Sequence, residues 1–247
     1  MVQEDPGEIQ EERKASRMKP AIVVTGCGRS GTLYMSKYFN AMGLGVQHEQ
    51  HGVDGISSWY VGSPDRANIT KNYYSSKMRG IKVIHLVREP MAVMSSMRRC
   101  EALRNRAGLD IFRRMYPNLV DMRQPDFLAT WWVEWNKNVR RVWDVDYTLR
   151  VENAPRPSII KEICSLAEVP FTMDIVKGIQ SIPTNTHHIE EKYREELMST
   201  SPQVLEDLTW IDLSLRQADQ VAELACLFGY GYRTLSDETG LRRCAFS

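Results

Sequence analysis

The hydrophobic signal along the chain changes period repeatedly. Ala21-Ile-Val-Val-Thr25 is a β-branched run closed by Gly26, and a short apolar run bounded by glycine predicts a buried strand. From Thr32 to Met42 the spacing becomes helical, with Met35, Phe39 and Met42 on one face and Gly43 as the stop. Leu44 to His48 predicts a second strand and Ile81 to Val87 a third; Pro90 is then placed to open a helix carrying Met91, Met94 and Met97. Phe127, Trp131, Trp135, Val139 and Val142 mark one face of a long helix, and Val145 to Val151 predicts a further strand. Trp131, Trp135 and Trp143 are expected in the core. Pro157 to Tyr232 reads as mostly helical, with Ala218, Val221, Ala222 and Ala225 as the buried face of a late helix. Such alternation predicts an α/β fold, a parallel sheet flanked by helices on both faces. No repeat is visible, and Pro155-Arg-Pro157 is too short for a linker, so residues 19–247 are expected to form one domain behind a disordered tail, residues 1–18.

Composition narrows the function classes. With 247 residues, 43% apolar and 26% charged, the chain is an ordinary globular one. Its 32 Lys+Arg against 31 Asp+Glu leave a net charge of +1, so no global field draws it to nucleic acid or membrane, and any anion site must be local. The charged N-terminus reads as neither signal peptide nor anchor, and no stretch approaches the ~18 apolar residues of a spanning helix. Cys27, Cys100, Cys164, Cys226 and Cys244 are scattered, without a CxxC pair, which argues against a disulfide framework or zinc site and fits a cytoplasmic setting with inert thiols.

The candidate chemistry starts at Gly26-Cys27-Gly28-Arg29-Ser30-Gly31-Thr32, which lies between a predicted strand and a predicted helix. Backbone N–H groups and the helix dipole converge there, and phosphate is the default ligand. The glycines satisfy GxGxxG, and Glu49 stands near the place of a ribose-binding acid, so a nicotinamide-dependent oxidoreductase is one reading. A kinase or NTPase loop needs a lysine before Thr32, which is missing, and a tyrosine phosphatase needs a thiolate where Val23 stands. A second element separates the readings. Arg88 ends the strand Ile81–Val87, and Ser96 follows on the next helix, where guanidinium and hydroxyl can meet around one phosphate. Two anion sites suit a nucleotide with both 5′ and 3′ phosphates.

These residues resemble the sulfotransferases that use 3′-phosphoadenosine 5′-phosphosulfate (PAPS). Gly28-Arg29-Ser30-Gly31-Thr32 is similar to the family's 5′-phosphosulfate loop, and Arg88 with Ser96 to its 3′-phosphate motif. The pattern is nearest to the tyrosylprotein type and its bacterial relatives, where arginine also replaces the loop lysine. The resemblance covers residues 20 to about 152, and Trp210-Ile-Asp-Leu and Leu227-Phe-Gly-Tyr230 are similar to family endings. It implies a P-loop NTPase-like sulfotransferase fold, with Cys27, Gly28, Arg29, Ser30, Gly31, Thr32, Leu33, Arg88 and Ser96 on the nucleotide and Arg29 stabilising the leaving phosphate. It also points to Glu49 as the general base. Read from the residues alone, His48 and His51 compete for that role within Gln47-His48-Glu49-Gln50-His51. No metal is expected, because a transferred sulfuryl group carries less charge than a phosphoryl group.

Other positions stay open at this level. Tyr34 fits either an adenine contact or core packing, and Val151 fills a place where relatives often have tyrosine, which leaves Glu152 as a structural acceptor. Thr184 to His188 reads as a polar loop. Arginines at 98, 99, 104, 106, 113, 114 and 123 outnumber Glu101, Asp110 and Asp121; they can attract an anionic acceptor or simply be solvated helix faces. Loops from Gly52 to Gly80 and Gly108 to Pro125 are expected to shape the pocket of a small-molecule, glycan or peptide acceptor. A non-catalytic nucleotide-binding module is the remaining alternative, and the sequence is silent on oligomeric state.

Overall fold

A computed structural model describes residues 19–102, 114–119, 122–183, 198 and 206–231. Its centre is a five-stranded parallel sheet, from β1 (Ala21–Gly26), β2 (Val46–His48), β3 (Gly55–Ser57), β4 (Ile81–Val87) and β5 (Tyr147–Arg150), in the order β2-β3-β1-β4-β5. The α/β class expected from the alternation is the class observed. The order differs from the dinucleotide-binding arrangement, in which the second strand lies beside the first; here β3 takes that place.

The two-residue period of the strands sorts side chains between the faces. Ile22, Val24, Ile84, Leu86 and Leu149 pack on one side against helices α1 (Thr32–Ala41), α5 (Pro157–Leu166) and α6 (Met173–Gln180). On the other side Ala21, Val23 and Val83 meet Ala67 and Tyr74 of α2 (Pro64–Ser75). Farther along that face, Cys27 and Val87 join α3 (Pro90–Ala102), α4 (Gln124–Val142) and α7 (Leu215–Leu227). Trp131, Trp135 and Trp143 are all buried, as their spacing predicts.

Local chemistry sets the helix starts. Glu89 accepts from the backbone N–H groups of Met91 (3.0 Å) and Ala92 (2.5 Å), capping α3 immediately before Pro90. Helix α4 opens with proline in its first turn and Asp126 beside it, and closes with Arg140 and Arg141, both charges suiting the dipole.

The segment from Gly52 to Gly80, expected to be loop, instead contains β3, a 3-10 turn (Tyr60–Gly62) and α2. Neither regular element announces itself. Strand β3 has three residues and gains its burial only by pairing with β1 and β2, while α2 buries little beyond Ala67, Thr70 and Tyr74. Of the second expected loop, residues 108–113, 120 and 121 lie outside the described residues, and Pro117–Leu119 forms a 3-10 turn. Among the described residues no helix is long and apolar enough to cross a membrane.

His85 is the one histidine on a central strand, fully buried beneath α4. Its Nε2–H donates to Asn136 Oδ1 (2.9 Å), and Phe228 presents its edge at 5.2 Å. Burial outweighs the Asn136 bond and lowers the pKa from 6.5 to about 4. The folded chain therefore keeps His85 neutral over a range in which the unfolded chain protonates it. Stability from this source is present above pH 6.5 and drains as pH falls toward 4, by on the order of 3 kcal/mol. Urea unfolding at pH 7.5 and 4.5 should show a smaller pH-dependent loss in His85→Gln than in wild type; equal losses in the two proteins would refute the assignment.

Candidate functional site

All five strands deliver their carboxyl ends to one edge of the sheet, and the glycine loop leaves β1 there. A Cβ on Gly26 would lie 1.9 Å from the Leu86 carbonyl oxygen, so only glycine permits β1 and β4 to run this close. The chain then turns through the Ser30 N–H to Cys27 carbonyl bond (3.1 Å), with Arg29 in the left-handed region at φ 70. Gly31, at φ 103, starts α1 without a side-chain cap, and the first turn of α1 carries no acid. The amides at this helix start are therefore left for an external acceptor. Ser30 Oγ is buried with no hydrogen-bond partner among the described residues. Gly28 lies under the Trp59 ring, where a notional Cβ would be in van der Waals contact at 3.9 Å. Cys27 is fully buried, and burial pushes its thiol pKa far up, so its part is confined to the backbone. Leu33 sits with its side chain exposed and contributes only its N–H to the amide set.

The strand-end element converges on this loop. Arg88 Nη1 donates to the Arg29 carbonyl oxygen (3.1 Å), and Arg29 Nε donates to Ser96 Oγ (2.9 Å). Arg29, Arg88 and Ser96 thus form a single cluster, closer than two independent anion sites would require. Burial lowers the Arg88 pKa, Glu152 works against that, and the Arg29 charge adds to the lowering. Glu152 accepts from the Glu89 N–H (2.8 Å) and from the Tyr230 hydroxyl (2.9 Å), the structural acceptor role expected of it. Arg150 lies 4.0 Å over the Tyr230 ring and donates to the Gly229 carbonyl (2.6 Å). Sequence reasoning did not single out Tyr230 as a site residue; its place beside Glu152 depends on how the end of α7 packs. Val151 packs against Gly31, with a Cβ on that glycine only 3.0 Å from Val151 Cγ2.

The candidate base lies across the loop. Glu49 follows β2 in the left-handed region at φ 61, held by its own N–H to the Ser57 carbonyl (3.2 Å) and by the Tyr60 hydroxyl donating to its carbonyl. Ser58 Oγ donates to Glu49 Oε2 (2.6 Å), and His48 Nε2 stands 3.4 Å from Oε1. Burial raises the Glu49 pKa, with the Ser58 hydroxyl and the Trp59 N–H pulling the other way. His48 Nε2 also lies 3.2 Å from Thr32 Oγ1, so a continuous polar path joins the loop to the carboxylate. Burial lowers the His48 pKa. Ser58 and Tyr60 were not visible as site residues, since only the register of β3 brings them here. His51 is turned away: it stacks on Tyr73 at 4.3 Å and its Nε2 is 3.2 Å from Thr70 Oγ1, which removes it from the candidate bases.

Several other expectations resolve or fall outside. Tyr34 packs beside Tyr38 at 6.2 Å against the α1 core, favouring the packing role. Arg98 donates to the Glu206 carbonyl, Arg99 pairs with Asp207 (2.9 Å), and Arg123 donates to the Asp212 carbonyl (2.8 Å), so these arginines tie the segment before α7 to the body. Arg114 is exposed. Arg104, Arg106, Arg113, Asp110, Asp121, the side chains of Glu101 and Cys100, Thr184 to His188, Cys244 and the tail lie outside the described residues. Cys164 and Cys226 are buried.

No family model and no curated protein matches the chain. Among solved structures, the chain is similar to the sulfotransferase domain from the Synechococcus PCC 7002 olefin synthase, at a TM-score of 0.47 and 14% identity, over 87% of this chain and 96% of that one. The residue geometry, and not this likeness, carries the functional reading.

The opposing effects at Glu49 give a direct check. Because the Ser58 hydrogen bond favours the ionised carboxylate, Ser58→Ala should move the Glu49 pKa further up, followed by 13C chemical shift of its carboxyl against pH. A pKa that stays put or falls would show that Ser58 does not hold the ionised form.

Proposed function

We propose that the chain is a sulfotransferase that takes a sulfuryl group from PAPS and passes it to a hydroxyl or amine acceptor by in-line displacement. The observation that carries this reading is the Arg88 hydrogen bond to the Arg29 carbonyl, which draws the strand-end donors onto the glycine loop. A ligand with two anionic groups a short distance apart would engage both. The residues present fit such a molecule: amides without a side-chain cap at the start of α1, and a buried Ser30 hydroxyl without a hydrogen-bond partner among the described residues. The Ser30 hydroxyl, the amides of Gly31 to Leu33, the Thr32 hydroxyl and Arg29 would hold the 5′ end, and Arg88 and Ser96 the 3′ end.

PAPS supplies a sulfuryl group on a phosphate leaving group. The protein's own contribution is electrostatic and acid–base. Arg29 and the loop amides are preorganised donors for charge on the departing phosphate, each charge-assisted bond being worth about 1.5–3 kcal/mol. Glu49 Oε1 or Oε2 would take the acceptor proton as sulfur bonds to the acceptor oxygen or nitrogen and its bond to the phosphate oxygen breaks. Its raised pKa brings its basicity closer to what proton transfer from an alcohol needs. No metal is invoked, because the charge to be neutralised is within reach of these donors. The acceptor is a small molecule, glycan or peptide, met beside Trp59 and Tyr60. The oxidoreductase alternative loses ground with the strand order, which moves Glu49 off the strand beside β1.

Two measurements test the reading together. 3′,5′-Bisphosphoadenosine should bind in preference to NAD, and Arg88→Ala should weaken it by about 10-fold or more. With labelled PAPS and an acceptor panel, Glu49→Gln should lose roughly 100- to 10,000-fold in kcat while retaining nucleotide binding. Tight NAD binding would favour the oxidoreductase, and full turnover by the variant would remove Glu49 as base. Nucleotide binding without transfer to any acceptor in the panel would favour a non-catalytic module.

A further inference from the structure

We propose that His48 carries its ring proton on Nε2 and uses it to orient the Thr32 hydroxyl, so that the Thr32 hydrogen points into the glycine loop. His48 is then a positioning residue, and the base role is left to Glu49. The proposal deepens the reading of the loop as the sulfuryl-donor site and rests on it only for the identity of the anion.

Two oxygens surround Nε2: Thr32 Oγ1 at 3.2 Å and Glu49 Oε1 at 3.4 Å. An ionised carboxylate oxygen can only accept, so a lone pair on Nε2 would face a lone pair on Oε1. A proton on Nε2 satisfies both neighbours at once and fixes the tautomer. The same choice settles Thr32. Its oxygen now accepts from His48, which frees its own hydrogen for another acceptor. Thr32 is 7% exposed, begins α1, and stands next but one to Ser30, whose buried hydroxyl is also without a partner among the described residues. Both hydroxyls are then available as donors at the place where the helix amides converge. With its proton held between two oxygens, Nε2 cannot receive one from an acceptor molecule. The same imidazole touches Glu49, so one ring spans from the donor loop to the base.

The test begins with wild-type protein and needs no variant. Long-range 15N–1H correlation spectra of the neutral His48 ring should show the Nε2–H tautomer; the Nδ1–H form would overturn the proposal. Binding of inorganic pyrophosphate then probes the loop without adenosine. His48→Gln, whose amide nitrogen can stand in for Nε2–H, should bind within about threefold of wild type, whereas His48→Ala should bind about 10-fold more weakly or worse. Equal binding by the Ala variant, or no pyrophosphate binding by wild type, would overturn it. If the expected pyrophosphate pattern appears but 3′,5′-bisphosphoadenosine gains nothing over pyrophosphate, the role of His48 stands and the sulfotransfer reading falls.

Discussion

The parallel pairing of β1 with β4, in register from Ala21 opposite Ile81 to Gly26 opposite Leu86, fixes where everything else can be. Because both strands run the same way and end at the same level, the loop after Gly26 and the turn after Val87 start side by side. Residues about 60 positions apart in sequence, Arg29 and Arg88, thereby meet without any insertion or long excursion. The absence of a side chain at Gly26 is what lets the strands close to this distance. Removing that freedom would force the Leu86 carbonyl away and pull the two donor elements apart before any residue of the site itself had changed.

Placing two guanidinium groups together has an electrostatic cost, and the surroundings offset it only in part. Among the described residues neither Arg29 nor Arg88 has a carboxylate at ion-pair distance; Glu152, the acid that most favours the charged form of Arg88, spends its oxygens on the Glu89 amide and the Tyr230 hydroxyl. The cluster is thus left with net positive charge next to the positive end of α1. Such an arrangement is poor for the empty fold and favourable for a dianion. The cationic field is local, which is why a chain with 32 basic and 31 acidic residues can still build it.

How much of this was legible in the sequence depended on whether a residue's role is set by its neighbours in the chain or by distant pairing. β1, α1, β4 and the start of α3 all carry their own signals, and Arg29, Thr32, Arg88 and Ser96 inherit their positions from those elements. β3 carries none: Gly55-Ile-Ser57 is buried throughout only because strands on both sides cover it. Ser58 and Tyr60, which hold Glu49, were illegible for the same reason, and so was Tyr230, which reaches Glu152 from the far end of the described chain. Within Gln47 to His51 the residue types were legible but their directions were not. The left-handed turn at Glu49 points that carboxylate toward the loop and sends His51 to α2.

That turn and its counterpart at Arg29 link strain to chemistry. A non-glycine residue in the left-handed region costs on the order of 1–2 kcal/mol, and glycine would adopt the same backbone without that cost. Glycine in fact occupies Gly31, two residues after Arg29, where the backbone needs the same region and no side chain is used. At Arg29 and Glu49 the strain is instead accepted and compensated by bonds to the strained units themselves. Arg88 donates to the Arg29 carbonyl, and Tyr60 donates to that of Glu49. Each compensating donor comes from a different strand end, so the strain is relieved only when the sheet edge is fully assembled. Among the described residues three non-glycine residues take this region, Arg29, Glu49 and Glu168, and the first two carry the guanidinium and the carboxylate of the candidate site.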